Sequence, residues 1–90
     1  MTLMDAGDAY LQYLIVEKGD SSKTKESYKE DLSDFFELVK DKKVNDLSEK
    51  DLESFISYLS KKGLKNTSII RKATTVRGFY SYLNLNGYIN

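Results

Sequence analysis

The chain has 90 residues, enough for one domain with a small core, and its 14 basic and 14 acidic residues leave no net charge. It contains no cysteine and no histidine, which excludes disulfides and thiolate metal sites and removes the commonest general base. We therefore expect no cofactor and no metal site. We also expect no enzymatic activity from this chain alone, although carboxylate or lysine chemistry is not formally excluded.

The chain has neither a membrane span nor a signal peptide by its sequence. No run of about 18 apolar residues occurs, and the start, MTLMDAGDAY, has acids where a signal peptide has a basic region. A cytoplasmic protein without a membrane partner is expected.

The charge is distributed unevenly along the chain. Residues 1–53 hold all fourteen acidic and eight of the basic residues, a net charge of −6, whereas residues 54–90 hold the other six basic residues and no acid. A positive surface on the C-terminal part is expected, suited to a polyanion. The alternative is a solvated helix surface that happens to be basic.

Apolar periodicity predicts a first helix over residues 3–18, ended by Gly19 in a left-handed conformation. A polar N-cap signal at residues 20–22 then opens a second helix, which extends to about Lys40. In the polar connection that follows, Val44 and Leu47 are expected to point inward.

Ser48 with Asp51 three residues later predicts the start of a third helix, which Gly63 ends. A fourth helix follows over residues 66–87, with Asn66 or Thr67 as its cap and an apolar stripe at steps of three and four. No segment alternates with period two. The prediction is an all-α, compact four-helix bundle forming a single domain over residues 1–90.

Two places on this bundle are suited to phosphate. The first is the start of the second helix, where hydroxyls, two ammonium groups and free backbone N–H groups coincide; its residues are Ser21, Ser22, Lys23, Thr24 and Lys25. The alternative, ordinary capping with solvated lysines, explains these residues better when they are considered alone. Tyr28 could pack its ring and turn its hydroxyl toward the same phosphate.

The second place is the polar face of the fourth helix, which contains no acid. Arginine there is suited to bidentate contact with phosphate or guanine; the residues are Ser68, Arg71, Lys72, Thr75 and Arg77. In the alternative interpretation Arg77 is an internal ion-pair partner. The acidic clusters at residues 31–37 and 49–53 are interpreted as solvated faces or caps, and most aromatic residues as core.

Three short patterns occur in one order along the chain: Ser21-x-x-Thr24-x-x-x-Tyr28-x-x-Asp31-Leu32-x-x-Phe35, then Leu47-Ser48-x-x-Asp51-Leu52, then Ser68-Ile69-Ile70-Arg71-Lys72-x-x-x-Val76-Arg77-x-Phe79-Tyr80-x-Tyr82-Leu83. In this order the chain resembles the N-terminal core-binding (SAM-like) domain of the tyrosine recombinases, the phage integrase and Xer-like family. The resemblance extends from about Leu3 to Asn90.

The resemblance implies a non-catalytic domain that clamps one side of duplex DNA at a recombination site. In that family a separate C-terminal domain supplies the tyrosine nucleophile, so no tyrosine here is assigned as one, and this chain is expected to be a fragment of a bacterial or phage-derived protein. Implied partners are double-stranded DNA, the parent protein's catalytic domain and neighbouring recombinase subunits. The implied DNA contacts are Lys23, Thr24, Lys25, Tyr28, Ser68, Arg71, Lys72, Thr75 and Arg77. The alternative function is a helical protein–protein interaction module that uses the acidic face.

Overall fold

The fold is described by a computed structural model that covers residues 2–19 and 22–89, without the side chains of Lys18, Ser22 and Thr24. It contains four helices, α1 (Leu3–Lys18), α2 (Ser22–Leu38), α3 (Glu49–Lys61) and α4 (Asn66–Leu85), and a short 3-10 turn at Val44–Asp46. No strand occurs in these described residues. The predicted all-α bundle is confirmed.

Most helix ends lie where the sequence predicts them. The α1 helix ends at Gly19, whose φ of 69° is left-handed. The α3 helix begins with a capping box in which Ser48 and Asp51 each accept from the other's backbone N–H. The predicted cap at Ser21 lies outside the described residues.

Three helix boundaries differ from the prediction. The α4 helix ends at Leu85, with Asn86 as its C-cap, rather than at residue 87. The N-cap of α4 is Lys65, not Asn66 or Thr67, because the extended backbone of Lys65 already places its carbonyl to accept from the N–H of Ile69 at 3.0 Å. The α2 helix ends at Leu38 rather than near Lys40, since the chain turns there and Lys42 N–H donates to the Val39 carbonyl.

The core is aromatic and is centred on α4, which packs against α2, α3 and α1. Phe35, Phe55 and Phe79 are completely buried, and the Phe35 and Phe55 rings meet edge-on with centroids 5.3 Å apart. Val44 and Leu47 are buried, as predicted. The interpretation of most aromatic residues as core is therefore confirmed.

The acidic cluster of residues 49–53 is divided by burial. Glu49 and Glu53 are exposed, whereas Asp51 is buried and accepts from the Ser48 N–H at 2.9 Å and from the Lys42 ammonium at 2.6 Å. Burial disfavours the Asp51 carboxylate, but these hydrogen bonds and the Lys42 charge outweigh it and lower its pKa below the ordinary 3.8. The predicted capping role of Asp51 is confirmed.

Replacing Val76 with alanine tests the central position of α4. Val76 is fully buried, so Val76→Ala should lower the free energy of unfolding by about 1–3 kcal/mol through lost burial and the cavity left behind. Urea denaturation measures the change. Val16→Ala, at a side chain that is 67% exposed, is the control and should change it by less than about 0.5 kcal/mol. Equal effects of the two variants would contradict the packing described.

Candidate nucleic-acid interface

A buried carboxylate joins α2 to α4 next to the predicted DNA-facing surface. Asp31 is completely buried. Its Oδ1 accepts from Arg71 Nη2 and from Lys72 Nζ, each at 3.1 Å, and its Oδ2 accepts from the Thr75 hydroxyl at 2.8 Å. The interpretation of Asp31 as part of a solvated acidic face is wrong, because three donors on α4 surround it.

Lys72 is a buried ion-pair partner rather than an exposed cation. It is 5% exposed, and its ammonium also donates to Asp34 at 2.7 Å. Burial disfavours the charged amine, but the hydrogen bonds to Asp34 and Asp31 and their negative charges outweigh it and raise the pKa of Lys72 above the ordinary 10.5. Lys72 therefore remains charged and is held inside the protein.

Thr75 is likewise absent from the exposed face. It is 3% exposed, and its hydroxyl is directed at Asp31 rather than at solvent. The expectation that Lys72 and Thr75 both lie on the exposed face of α4 is wrong. The helical spacing of these two residues already indicates their burial. Lys72 lies three residues after Ile69 and four before Val76, and Thr75 lies four residues before Phe79. Both are therefore beside the apolar stripe that faces the core.

Arg71 belongs both to the Asp31 cluster and to the surface. Its side chain is 53% exposed although one guanidinium nitrogen donates to Asp31. A guanidinium carries five N–H donors in a planar fork, so one edge can bind an anion while another remains attached to the protein. The ion pair with Asp31 holds Arg71 in place at the surface.

Arg77 is exposed and forms no ion pair with any residue that the structure describes. The alternative that Arg77 is an internal ion-pair partner is therefore wrong; Arg71 and Lys72 have that role. Ser68, one turn before Arg71, is half-buried.

The start of α2 lies beside the same surface. Lys23 is exposed, and Lys25 and Tyr28 are half-buried; the side chains of Ser22 and Thr24, and all of Ser21, lie outside the described residues. Tyr28 lines a groove of about 520 Å³ together with Thr74 and Gly78 of α4. The second turn of α2, at Tyr28, therefore borders the middle of α4.

Gly78 is half-buried where α4 packs against α1. It faces the Tyr10 hydroxyl of α1, which would collide with a Cβ atom at this position. The missing side chain thus makes room for Tyr10, and close packing of α1 on α4, rather than approach of a ligand, is the observed use of this glycine.

The exposed residues of α4 form a continuous surface without an acid, which we call the outer face of α4. Its charged members are Arg71 and Arg77, and both are positive. The outer face consists of Asn66, Thr67, Ile70, Arg71, Thr74, Arg77, Ser81, Asn84 and Leu85. A helix surface of this charge and width is suited to a polyanion.

Comparison with known proteins identifies the family of this bundle. The family model described as "Phage integrase, N-terminal SAM-like domain" matches residues 8–87. The chain belongs to this family of recombinase N-terminal domains.

The curated relatives carry the name "Tyrosine recombinase XerC". The protein of Thermodesulfovibrio yellowstonii is 39% identical over 82 residues, 89% of this chain and 26% of the relative. The protein of Staphylococcus saprophyticus is 43% identical over 76 residues, 82% of this chain and 26% of the relative. The chain thus spans about a quarter of the length of these relatives.

No solved structure matches the chain significantly. Among the residues that the structure describes, no helix is both long and apolar enough to cross a membrane.

Removing the charge of Asp31 tests the polar cluster. Asp31→Asn leaves the buried Lys72 with two solvent-exposed carboxylates, Asp34 at 2.7 Å and Glu30 at 4.0 Å, in place of the buried one, so the free energy of unfolding should fall by about 3 kcal/mol. The matched control is Asp34→Asn, at a side chain that is 42% exposed, which should cost clearly less. The double variant Asp31→Asn with Lys72→Met should recover part of the loss, because no buried charge is then left unpaired. Equal losses for the two single variants would contradict the geometry.

Proposed function

We propose that this chain is the non-catalytic DNA-binding domain of a site-specific tyrosine recombinase, and that it clamps one side of the recombination-site duplex. The observation that carries the proposal is the acid-free outer face of α4 beside the lysine-bearing start of α2. Membership of the recombinase family supports it, because the relatives are recombinases by name.

The proposed contacts follow the exposure of each side chain. Arg71 and Arg77 would bind phosphate or a base edge from α4, and Lys23 and Lys25 would bind phosphates from α2. The hydroxyls of Thr24, Tyr28 and Ser68 remain proposed phosphate donors. Lys72 and Thr75 are instead assigned the task of holding α2 against α4, since both are buried on Asp31.

The chemistry of recombination would come from another part of the parent protein. The chain has no histidine and spans about a quarter of the length of its relatives. We propose that the parent's catalytic domain binds the other side of the same duplex, in the cytoplasm, and that neighbouring recombinase subunits contact this domain on the DNA.

The salt dependence of duplex binding tests the proposal. If Lys23, Lys25, Arg71 and Arg77 neutralise about four phosphates, the slope of log K against log salt should be near −3.6. Arg77→Ala should make the slope shallower by about 0.9 at unchanged melting temperature, since Arg77 is exposed and unpaired among the described residues. Fluorescence anisotropy with a labelled duplex, at salt concentrations from about 50 to about 200 mM, measures the slope for the parent chain and for Arg77→Ala.

Lys43→Ala is the matched control for Arg77→Ala. Lys43 is exposed but lies with Thr2 and Leu3 near the start of α1, so its removal should leave the slope unchanged. Binding that does not respond to salt, or a Lys43 effect equal to that of Arg77, would contradict the proposal.

A protein-interaction module is the second candidate. Val16 of α1 and Leu85 at the C-terminal end of α4, which are 67% and 74% exposed, line a shallow depression beside Glu17, and this exposed apolar surface favours a protein partner. A defined oligomer in sedimentation experiments combined with no salt-sensitive DNA binding would favour this function over the first.

A further inference from the structure

An apolar side chain lies on the outer face of α4 in the N-terminal half of the helix. Ile70 is 64% exposed, although the neighbouring Ile69 packs against the core. Exposure of this extent means that Ile70 contributes little to the stability of the fold. Single exposed apolar side chains are common on protein surfaces; what distinguishes Ile70 is its position between two exposed arginines on the outer face of α4.

Thr74 extends the apolar surface by one helical turn. It is exposed, and its hydroxyl donates to the Ile70 carbonyl of the same helix at 2.8 Å. Because the hydroxyl proton is used within the helix, Thr74 offers its γ-methyl group to a ligand. Ile70 and Thr74 together form what we call the methyl patch.

The methyl patch lies between the two exposed arginines. At about 100° per residue, Ile70 and Thr74 are about 40° apart around the helix axis. Arg77 lies about 20° from Ile70 on one side of this pair, and Arg71 lies about 60° from Thr74 on the other side. Cations on both sides favour a polyanion, and an apolar group on that polyanion would bury the patch most favourably.

On duplex DNA the apolar group that depends on base identity is the C5-methyl group of thymine, which lies in the major groove. Deoxyribose also presents C–H surface, but that surface is the same at every nucleotide and carries no sequence information. The major groove is also wide enough to admit an α-helix, and arginines at its borders reach phosphates or guanine edges. The chemistry of the patch and that of thymine are complementary.

We propose that Ile70 and Thr74 are specificity-determining residues that recognise thymine through its C5-methyl group in the major groove. The inference rests on the proposed DNA-binding function and extends it, since it assigns base recognition to the methyl patch and positioning to Arg71 and Arg77. The polar residues that the sequence singled out thus surround, rather than form, the base-reading element.

Replacing thymine by deoxyuridine tests the proposal directly, because deoxyuridine pairs identically with adenine and lacks only the methyl group. The 90-residue chain is first used to select binding sequences from a library of random duplexes. Each thymine of the selected duplex is then replaced singly by deoxyuridine. Loss of a methyl contact should weaken binding about fourfold at one or two positions.

Variants of the protein then assign the contacts. Ile70→Ala should bring the thymine-to-deoxyuridine affinity ratio close to one at the thymine that Ile70 contacts. Thr74→Ser keeps the hydroxyl and removes the methyl group, and it should do the same at the thymine that Thr74 contacts. Val16→Ala removes an equally exposed apolar side chain from α1 and should preserve the fourfold ratio. All three variants should melt at the temperature of the parent chain.

The outcomes separate this inference from the function on which it rests. Selection of no motif, a motif whose thymines all tolerate deoxyuridine, or an unchanged ratio in Ile70→Ala would overturn base recognition by the methyl patch. Any of these results together with a salt slope near −3.6 would leave the DNA-binding function standing. Absence of duplex binding at low salt would instead reject both.

Discussion

The structure depends on the buried carboxylate of Asp31 and on the three α4 donors that satisfy it. A carboxylate without such partners would be costly in the protein interior, and within the described residues no buried side-chain nitrogen or oxygen lacks a hydrogen-bond partner. The cluster fixes how α2 crosses α4. Lys72 and Thr75 are buried in this cluster, so the basic surface of the protein is smaller than the composition of residues 54–90 suggests.

The same cluster explains how one helix serves both core and surface. Arg71 lies at the border, with one nitrogen on Asp31 and half of its side chain in solvent. Lys72 and Thr75, one and four residues later, turn inward, whereas Ile70, Thr74 and Arg77 turn outward. A ligand bound to the outer face therefore meets arginines at both edges and apolar groups between them, on a helix whose orientation is set by a polar contact.

The sequence was sufficient for the fold and for only part of the candidate site. Glycine at a left-handed position and the Ser48–Asp51 box are local signals, so the helix ends that they define could be predicted. The spacing of Asp31, three residues after Tyr28 and four before Phe35, places it beside an apolar stripe, as that of Lys72 and Thr75 does. Spacing does not show which donor meets which carboxylate, because the partners of Asp31 lie 40, 41 and 44 residues away on α4. The exposure of Arg71 and Arg77 agreed with the sequence-based prediction, and that of Lys72 and Thr75 did not.

The function proposed for this domain depends on the outer face of α4 and the start of α2 forming one DNA-binding surface. Titration of the ¹⁵N-labelled chain with duplex DNA, followed by amide chemical shifts, locates the surface that binds. Salt-sensitive shift changes should concentrate at residues 66–81 of α4 and 22–28 of α2. Shift changes concentrated on α3 or on the acidic side of α1, with α4 unaffected, would contradict this proposal.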